Sequence, residues 1–272
     1  MEILKGTVGT GAFSMDYCRF GAGAGRLLIL PGLSVQSVTP QAEAIARSYQ
    51  PLTEDYTIWV LDRRSQVPPV YSVKEMARDT AEAVRALGIE KVCVFGASQG
   101  GMIALEMAAA CPELVQKLIL GSTAARMTPE RFRTVRHWID LARAGNAERL
   151  YLSFGEAVYP RAVFEQARGQ LTSAARTVTE EELKRFVIVA AGMRDFDAAE
   201  ELKRISCPVL VLGAKDDRVL GADASMEIAE AFRDRPDCEL QLIDGYGHAC
   251  YDTAPDYRER MLRFLRQPKG KA

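Results

Sequence analysis

The sequence predicts an α/β fold, a mostly parallel sheet flanked by helices and interrupted by a single helical insertion. Three observations predict it. From residue 26 onward short apolar runs alternate with amphipathic stretches, the pattern of parallel strands and crossover helices. Helix-start signals recur after those runs, most clearly at Ser72 with Glu75 three residues on. Between about residues 125 and 204 the strand signal disappears, and it resumes at Pro208.

Taken in order, Glu2–Gly25 holds two short segments rich in glycine and β-formers, read as an antiparallel hairpin at the sheet edge. Arg26–Leu30 is a buried strand stopped by Pro31-Gly32, residues 38–48 are helical, and Tyr56–Leu61 is the next strand. Two prolines and several polar residues make Asp62–Tyr71 a loop. A helix then runs from Ser72 to Leu87 and ends at Gly88. Strand Lys91–Phe95, helix Ser98–Ala110 and strand Leu118–Leu120 come next. In the insertion, Thr128-Pro129 opens a helix whose apolar face carries Phe132, Val135, Ile139 and Ala142, and Gly145 ends it. Capping boxes are expected at Thr179–Glu182 and Asp197–Glu200. The insertion has 12 basic and 11 acidic residues between 126 and 200, so it is no charged arm. A strand at Pro208–Leu212, a helix at 222–233, a strand at Glu239–Ile243 and a helix at 254–266 complete eight strand segments.

Composition excludes several classes of function. With 272 residues, 48% hydrophobic and 26% charged, the chain is long and apolar enough to bury a full core. Its 35 basic and 36 acidic residues leave a net charge of −1, against a nucleic-acid partner. No apolar run approaches the roughly 18 residues of a membrane span, and the start MEILKGTVGTGAF has no signal-peptide core. Cysteines 18, 93, 111, 207, 238 and 250 form no CxxC pair and only two histidines are present, so no metal site is expected. Buried reduced thiols in a cytoplasmic protein are the expectation.

Chemistry concentrates at Gly96-Ala97-Ser98-Gln99-Gly100, a GxSxG sequence between a buried strand and an apolar helix. That setting is the one a nucleophile elbow requires, a sharp turn that lifts a serine above a helix N-terminus. The serine needs a base, itself oriented by a third group. Of the two histidines, His137 lies in a helical stretch of the insertion, whereas His248 comes after a strand within Asp244-Gly-Tyr-Gly-His248. His248 is therefore expected at the same sheet edge as Ser98. The acid is expected after strand 208–212, where Asp216 and Asp217 stand side by side and composition cannot choose between them.

With LLILPGL, GASQGG, LVLGAKDDRVL and GYGHACYDTAPDYRERMLRFL in place, the chain resembles the α/β-hydrolase family nearly end to end. The resemblance implies an eight-stranded, mostly parallel core over residues 1–124 and 205–272, with a helical cap at 125–204. It places the acid at Asp217, in the position of a G-x-x-D-x-V loop. It implies an oxyanion hole formed by the backbone N–H groups of Leu33 and Gln99, with Pro31 where many relatives carry His. It also marks a departure: relatives often have a glycine-rich loop after the aspartate at position 62, and here Arg63 and Arg64 stand instead. Two arginines suit either an anionic substrate or a solvated surface loop.

A serine at the elbow sets aside the branches of the fold that attack with a carboxylate. The expected activity is hydrolysis of carboxylic esters of small or medium acyl substrates through an acyl-serine, with Ser98, His248 and Asp217 as the triad and no cofactor. Met127, Trp138 and Tyr159 are candidate pocket residues, with Tyr151 and Phe154 beside them. Alternatives on the same triad are hydrolysis of a C–C bond in a β-diketone, of a thioester or of a lactone, and acyl transfer. A different class is a ligand-binding sensor with negligible turnover.

Overall fold

A computed structural model describes residues 1–268 of the chain. Eight strands form one sheet: β1 Ile3–Gly9, β2 Ser14–Phe20, β3 Gly25–Leu30, β4 Tyr56–Arg64, β5 Val92–Ala97, β6 Val115–Gly121, β7 Val209–Ala214 and β8 Cys238–Ile243. Their spatial order is β1-β2-β4-β3-β5-β6-β7-β8. β1 pairs antiparallel with β2 and β2 with β4, and every later pair is parallel. β5 and β7 are buried at every position, as strands covered on both faces must be.

The helices are α1 Ala42–Ser48, α2 Val73–Ala86, α3 Gln99–Ala110, α4 Pro129–Arg143, α5 Ala147–Val158, α6 Arg161–Ala175, α7 Glu180–Ala191, α8 Ala222–Ala231, α9 Cys250–Thr253 and α10 Tyr257–Arg266. Two hydrophobic clusters cover the sheet. One joins α2 and α3 to the inserted helices through residues such as Leu105, Phe132 and Phe186. The other packs α1 and α10 on the opposite face around Phe95, Ile58 and Tyr257. Helices α4 to α7 are inserted between β6 and β7, where the strand signal lapses.

From β3 the chain steps to β4 on one side and then returns past β3 to β5 on the other. The loops after β3 and β5 therefore diverge, and a crevice opens where open α/β sheets receive ligands.

Three local expectations are corrected. β4 continues through Arg64, so Asp62-Arg63-Arg64 is strand and the loop begins only at Ser65. Asp197 does not cap a helix. Its carboxylate accepts from the Ala199 N–H at 3.0 Å, closing a tight turn, and the next turn of helix begins only at Glu201. The last helix is broken: Ala254 precedes Pro255 and is extended at φ −75°, ψ 122°, separating α9 from α10. By contrast, both Ser72–Glu75 and Thr179–Glu182 close as full capping boxes.

Candidate active site

Ser98 sits between β5 and α3 at φ 50°, ψ −118°, a backbone region that few non-glycine residues occupy. Its surroundings hold it there. The Ser98 N–H donates to the Gly121 carbonyl at 2.7 Å, and the Thr123 hydroxyl donates to the Ser98 carbonyl at 2.6 Å. The flanking glycines are steric necessities. A Cβ on Gly96 would lie 2.3 Å from the Gly100 carbonyl oxygen, and one on Gly100 would lie 2.0 Å from that of Leu30. The turn is this tight because α3 packs directly over β3 and β5.

The Ser98 hydroxyl lies 2.9 Å from His248 Nε2, and His248 Nδ1 lies 2.8 Å from an Asp217 carboxylate oxygen. A carboxylate only accepts, so Nδ1 carries the proton and Nε2 turns its lone pair to the serine. All three side chains are buried. The second Asp217 oxygen accepts from the N–H groups of Val219 and Leu220 at 2.8 and 3.0 Å. Burial alone would raise the Asp217 pKa. The His248 ring and these amide donors outweigh it and hold the carboxyl below its ordinary range.

The adjacent aspartate has another task. The Asp216 carboxylate accepts from the Gly247 N–H at 3.0 Å and so fastens the loop that carries His248. Geometry thus separates two residues that sequence composition left equivalent. His137 is exposed on α4, away from this cluster.

The Leu33 and Gln99 N–H groups donate to no acceptor among the described residues. Gln99 opens α3, where the first amides of any helix are unpaired. Leu33 adjoins Gly32, whose Cβ position would lie 3.4 Å from the Ser98 Cβ. Both loops therefore border the serine.

A chamber of only about 10 Å³ lies over Ser98 and His248, room for roughly one water. Its wall is apolar: Leu33, Val135, Trp138, Phe154, Met193 and Leu220 are the main contributors. Trp138 stacks on Phe154 with centroids 4.2 Å apart, and its buried indole N–H has no partner among the described residues. A second cavity of about 230 Å³ shares Leu33, Phe154, Val158 and Tyr251 with the chamber, and opens toward Tyr49, Tyr159 and Asp252.

Of the candidate pocket residues, Trp138 and Phe154 reach the chamber and Tyr159 lines the second cavity. Met127 does not: its N–H is tied to the Phe196 carbonyl at 2.8 Å ahead of α4, and it lines a separate groove with Arg126, Pro129 and Arg136. Tyr151 lines neither space and donates to Gln36 at 2.9 Å. Sequence reasoning misses Met193 and Tyr251. Met193 comes after α7 in an irregular turn with no period to read, whereas Tyr251, three residues after His248, is within reach of a helical-spacing argument.

Arg63 and Arg64 are neither a solvated loop nor a lining of the chamber. Arg64 leaves β4 on one face and pairs with Asp79, its Nη2 at 2.8 Å from the second carboxylate oxygen. Arg63 leaves on the other face and is buried. The thiol of Cys250 is also buried, 3.4 Å from the Ser122 hydroxyl, and burial pushes it up to about 11.

Residues 27–259 match the sequence pattern of the alpha/beta hydrolase family. The chain belongs to that family. Among curated hydrolase relatives, the protein named "Putative carbamate hydrolase RutD" of Agrobacterium fabrum is 30% identical over 252 residues, spanning 91% of this chain and 95% of the relative. Among solved hydrolase structures, the MGS-M2 alpha/beta hydrolase from a Medee basin deep-sea metagenome superposes with a TM-score of 0.83 at 19% identity, over 96% of this chain and 97% of that one. A thermophilic esterase from Thermogutta terrifontis gives 0.78 at 19%, over 97% and 98%. At such identities the structural likeness speaks for the hydrolase fold alone.

Proposed function

We propose that this alpha/beta hydrolase cleaves carboxylic esters of small or medium apolar acyl groups through an acyl-serine. The observation that carries the reading is the unbroken chain of hydrogen bonds from Asp217 through His248 to Ser98, at 2.8 and 2.9 Å, under a small chamber with a mostly apolar lining. His248 Nε2 takes the Ser98 proton as Oγ bonds to the ester carbon. The carbonyl oxygen becomes an oxyanion, received by the Leu33 and Gln99 N–H groups. Collapse breaks the bond to the alkoxide, which takes the proton from His248 and leaves. Water then repeats the sequence on the acyl-serine, giving the acid and free Ser98. Asp217 steadies the imidazolium in both halves.

Helices α4 to α7 act as a cap in this reading. Their Val135, Trp138 and Phe154 set the shape of the acyl site, and the second cavity takes the leaving group. The Trp138 indole N–H is available to an acceptor atom on the substrate.

A second reading is carbamate hydrolysis, favoured by the name of the 30% identical relative from Agrobacterium fabrum. The same attack by Ser98 on a carbamate ester would break its bond to the alcohol oxygen, release the alcohol with the proton from His248 and leave a carbamoyl-serine. The lining of the chamber includes no lysine or arginine, which favours a neutral ester or carbamate ester over a free carbamate anion.

The test is turnover of p-nitrophenyl esters with two to twelve acyl carbons beside aryl carbamates, with Ser98→Ala in parallel and intact mass after a fluorophosphonate probe. Ester turnover and a single adduct, both lost in Ser98→Ala, support the reading. Faster release from carbamates supports the second. A probe adduct without turnover of either points to a C–C, thioester or lactone substrate or to a sensor, and ester formation with an added alcohol to acyl transfer. No adduct on folded protein rejects an activated Ser98.

A further inference from the structure

The two N–H groups assigned to the oxyanion hole belong to separate loops, one after β3 and one after β5, and a single buried side chain joins them. Arg63 Nη2 donates to the Pro31 carbonyl at 2.6 Å and to the Gln99 side-chain oxygen at 2.8 Å. Pro31 is two residues before Leu33. Gln99 in turn donates from Nε2 to the Val189 carbonyl in α7 at 2.9 Å. One guanidinium nitrogen thus ties the loop after β3 to the elbow, and Gln99 carries that tie into the inserted helices.

The charge of Arg63 calls for a reason. The residue is 5% exposed, and its Nε has no partner among the described residues. Among the described residues no carboxylate lies within ion-pair distance of its guanidinium. Asp62, its neighbour in the chain, is engaged elsewhere: one oxygen accepts from the Arg63 backbone N–H at 2.7 Å and lies 3.5 Å from Arg185, and the other accepts from the Val38 N–H at 3.3 Å. Burial lowers the guanidinium pKa to about 10, so it remains a cation at neutral pH. Burying an unpaired cation is costly, and a neutral side chain would bridge two loops at less cost. A fixed positive charge is useful where negative charge appears only transiently, next to a preorganised oxyanion site.

We propose that Arg63 is a positioning residue for the oxyanion hole: it sets the spacing of the Leu33 and Gln99 N–H groups and places a permanent cation behind them. The proposal rests on the serine-hydrolase reading. It assigns Arg63 no contact with substrate, in keeping with its absence from the lining of the chamber.

The experiment compares wild type with Arg63→Met, Arg63→Lys and Gln99→Met on p-nitrophenyl butyrate. Binding of butylboronic acid, which captures Ser98 as a tetrahedral anion, is measured beside binding of neutral butyramide. In Arg63→Met, kcat is expected to fall about 10- to 100-fold, below the loss for deleting an oxyanion donor outright. KM and butyramide affinity stay within about twofold, while boronate affinity falls in parallel with kcat. Arg63→Lys, which keeps the cation, recovers part of the loss. Gln99→Met, which keeps its backbone N–H, shows the same boronate-selective defect and decides the matter if Arg63→Met does not fold. Unchanged boronate affinity in the folded variants overturns the proposal, as does a KM increase at constant kcat, which would mark Arg63 as a substrate contact. A wild-type protein that takes up neither boronate nor a fluorophosphonate rejects the serine reading itself and the proposal with it.

Discussion

At the residue scale, the site depends on a few atoms placed without slack. Asp217→Asn preserves volume but no longer enforces the Nδ1–H tautomer of His248. It should lower kcat by about 10⁴-fold with KM little changed, as measured by initial rates on the preferred ester. The same carboxylate has a stability consequence. Its folded pKa is held below the unfolded value of about 3.9, so its contribution is fully present above that value and is lost as pH falls through the folded one. The stability gap between wild type and Asp217→Asn, read from urea midpoints, should therefore narrow as pH falls from about 5 toward 2. A gap that is flat over that range would contradict the assignment. The thiols give an opposite expectation. Burial pushes Cys18, Cys238 and Cys250 up to about 11 and Cys207 up to about 12. Iodoacetamide at pH 7.5 should then leave activity intact despite a cysteine two residues from His248.

At the element scale, the inserted helices are fastened to the loops that carry Asp217 and His248. The N–H of Ala249 donates to the Val158 carbonyl at the end of α5 at 2.9 Å, and Arg218 Nη2 donates to the Glu156 and Tyr159 carbonyls, each at 2.7 Å. On α4, Arg131 donates to the Leu220 carbonyl at 3.1 Å and pairs with Asp223 and Glu227 on α8. Leu220 supplies one of the amides that hold Asp217. Arg131→Met should thus act on both stability and catalysis. The two carboxylates are about half exposed and water screens the pair, so the expected stability loss is about 1–2 kcal/mol in urea unfolding. A several-fold fall in kcat should accompany it, and a stability loss with unaltered kcat would show that α4 does not steady the acid loop.

At the scale of the whole molecule, a chamber of about 10 Å³ cannot hold an acyl chain beside Ser98. On the ester reading, substrate entry would require the Trp138–Phe154 stack to part or the inserted helices to lift from the sheet edge. Phe154 stands in the wall shared with the 230 Å³ cavity. Phe154→Ala should widen the acyl side of the chamber beneath Trp138 and shift the preferred p-nitrophenyl ester toward acyl chains longer by several carbons. An unchanged length profile would place the acyl group elsewhere.

The order of strands and helices, the elbow serine and the histidine are legible in the sequence, because each rests on local physics. Continuous apolar runs make buried strands, Ser72–Glu75 closes its own cap, and Gly96, two positions before Ser98, answers a steric demand from the Gly100 carbonyl four residues on. The division of labour between Asp216 and Asp217 is not legible: it depends on which carboxylate meets a ring 31 residues away and which meets the backbone of Gly247. Arg63 misleads for the same reason. Along the chain it looks like part of a polar loop, and only the packing of β3, β5 and α7 around the end of β4 turns it inward onto Pro31 and Gln99. The sequence by itself determined the fold and the residues with chemical competence, since those arise from patterns of a few residues. Tertiary structure alone decided which partners, walls and charges surround them, since those are contacts between segments far apart in the chain.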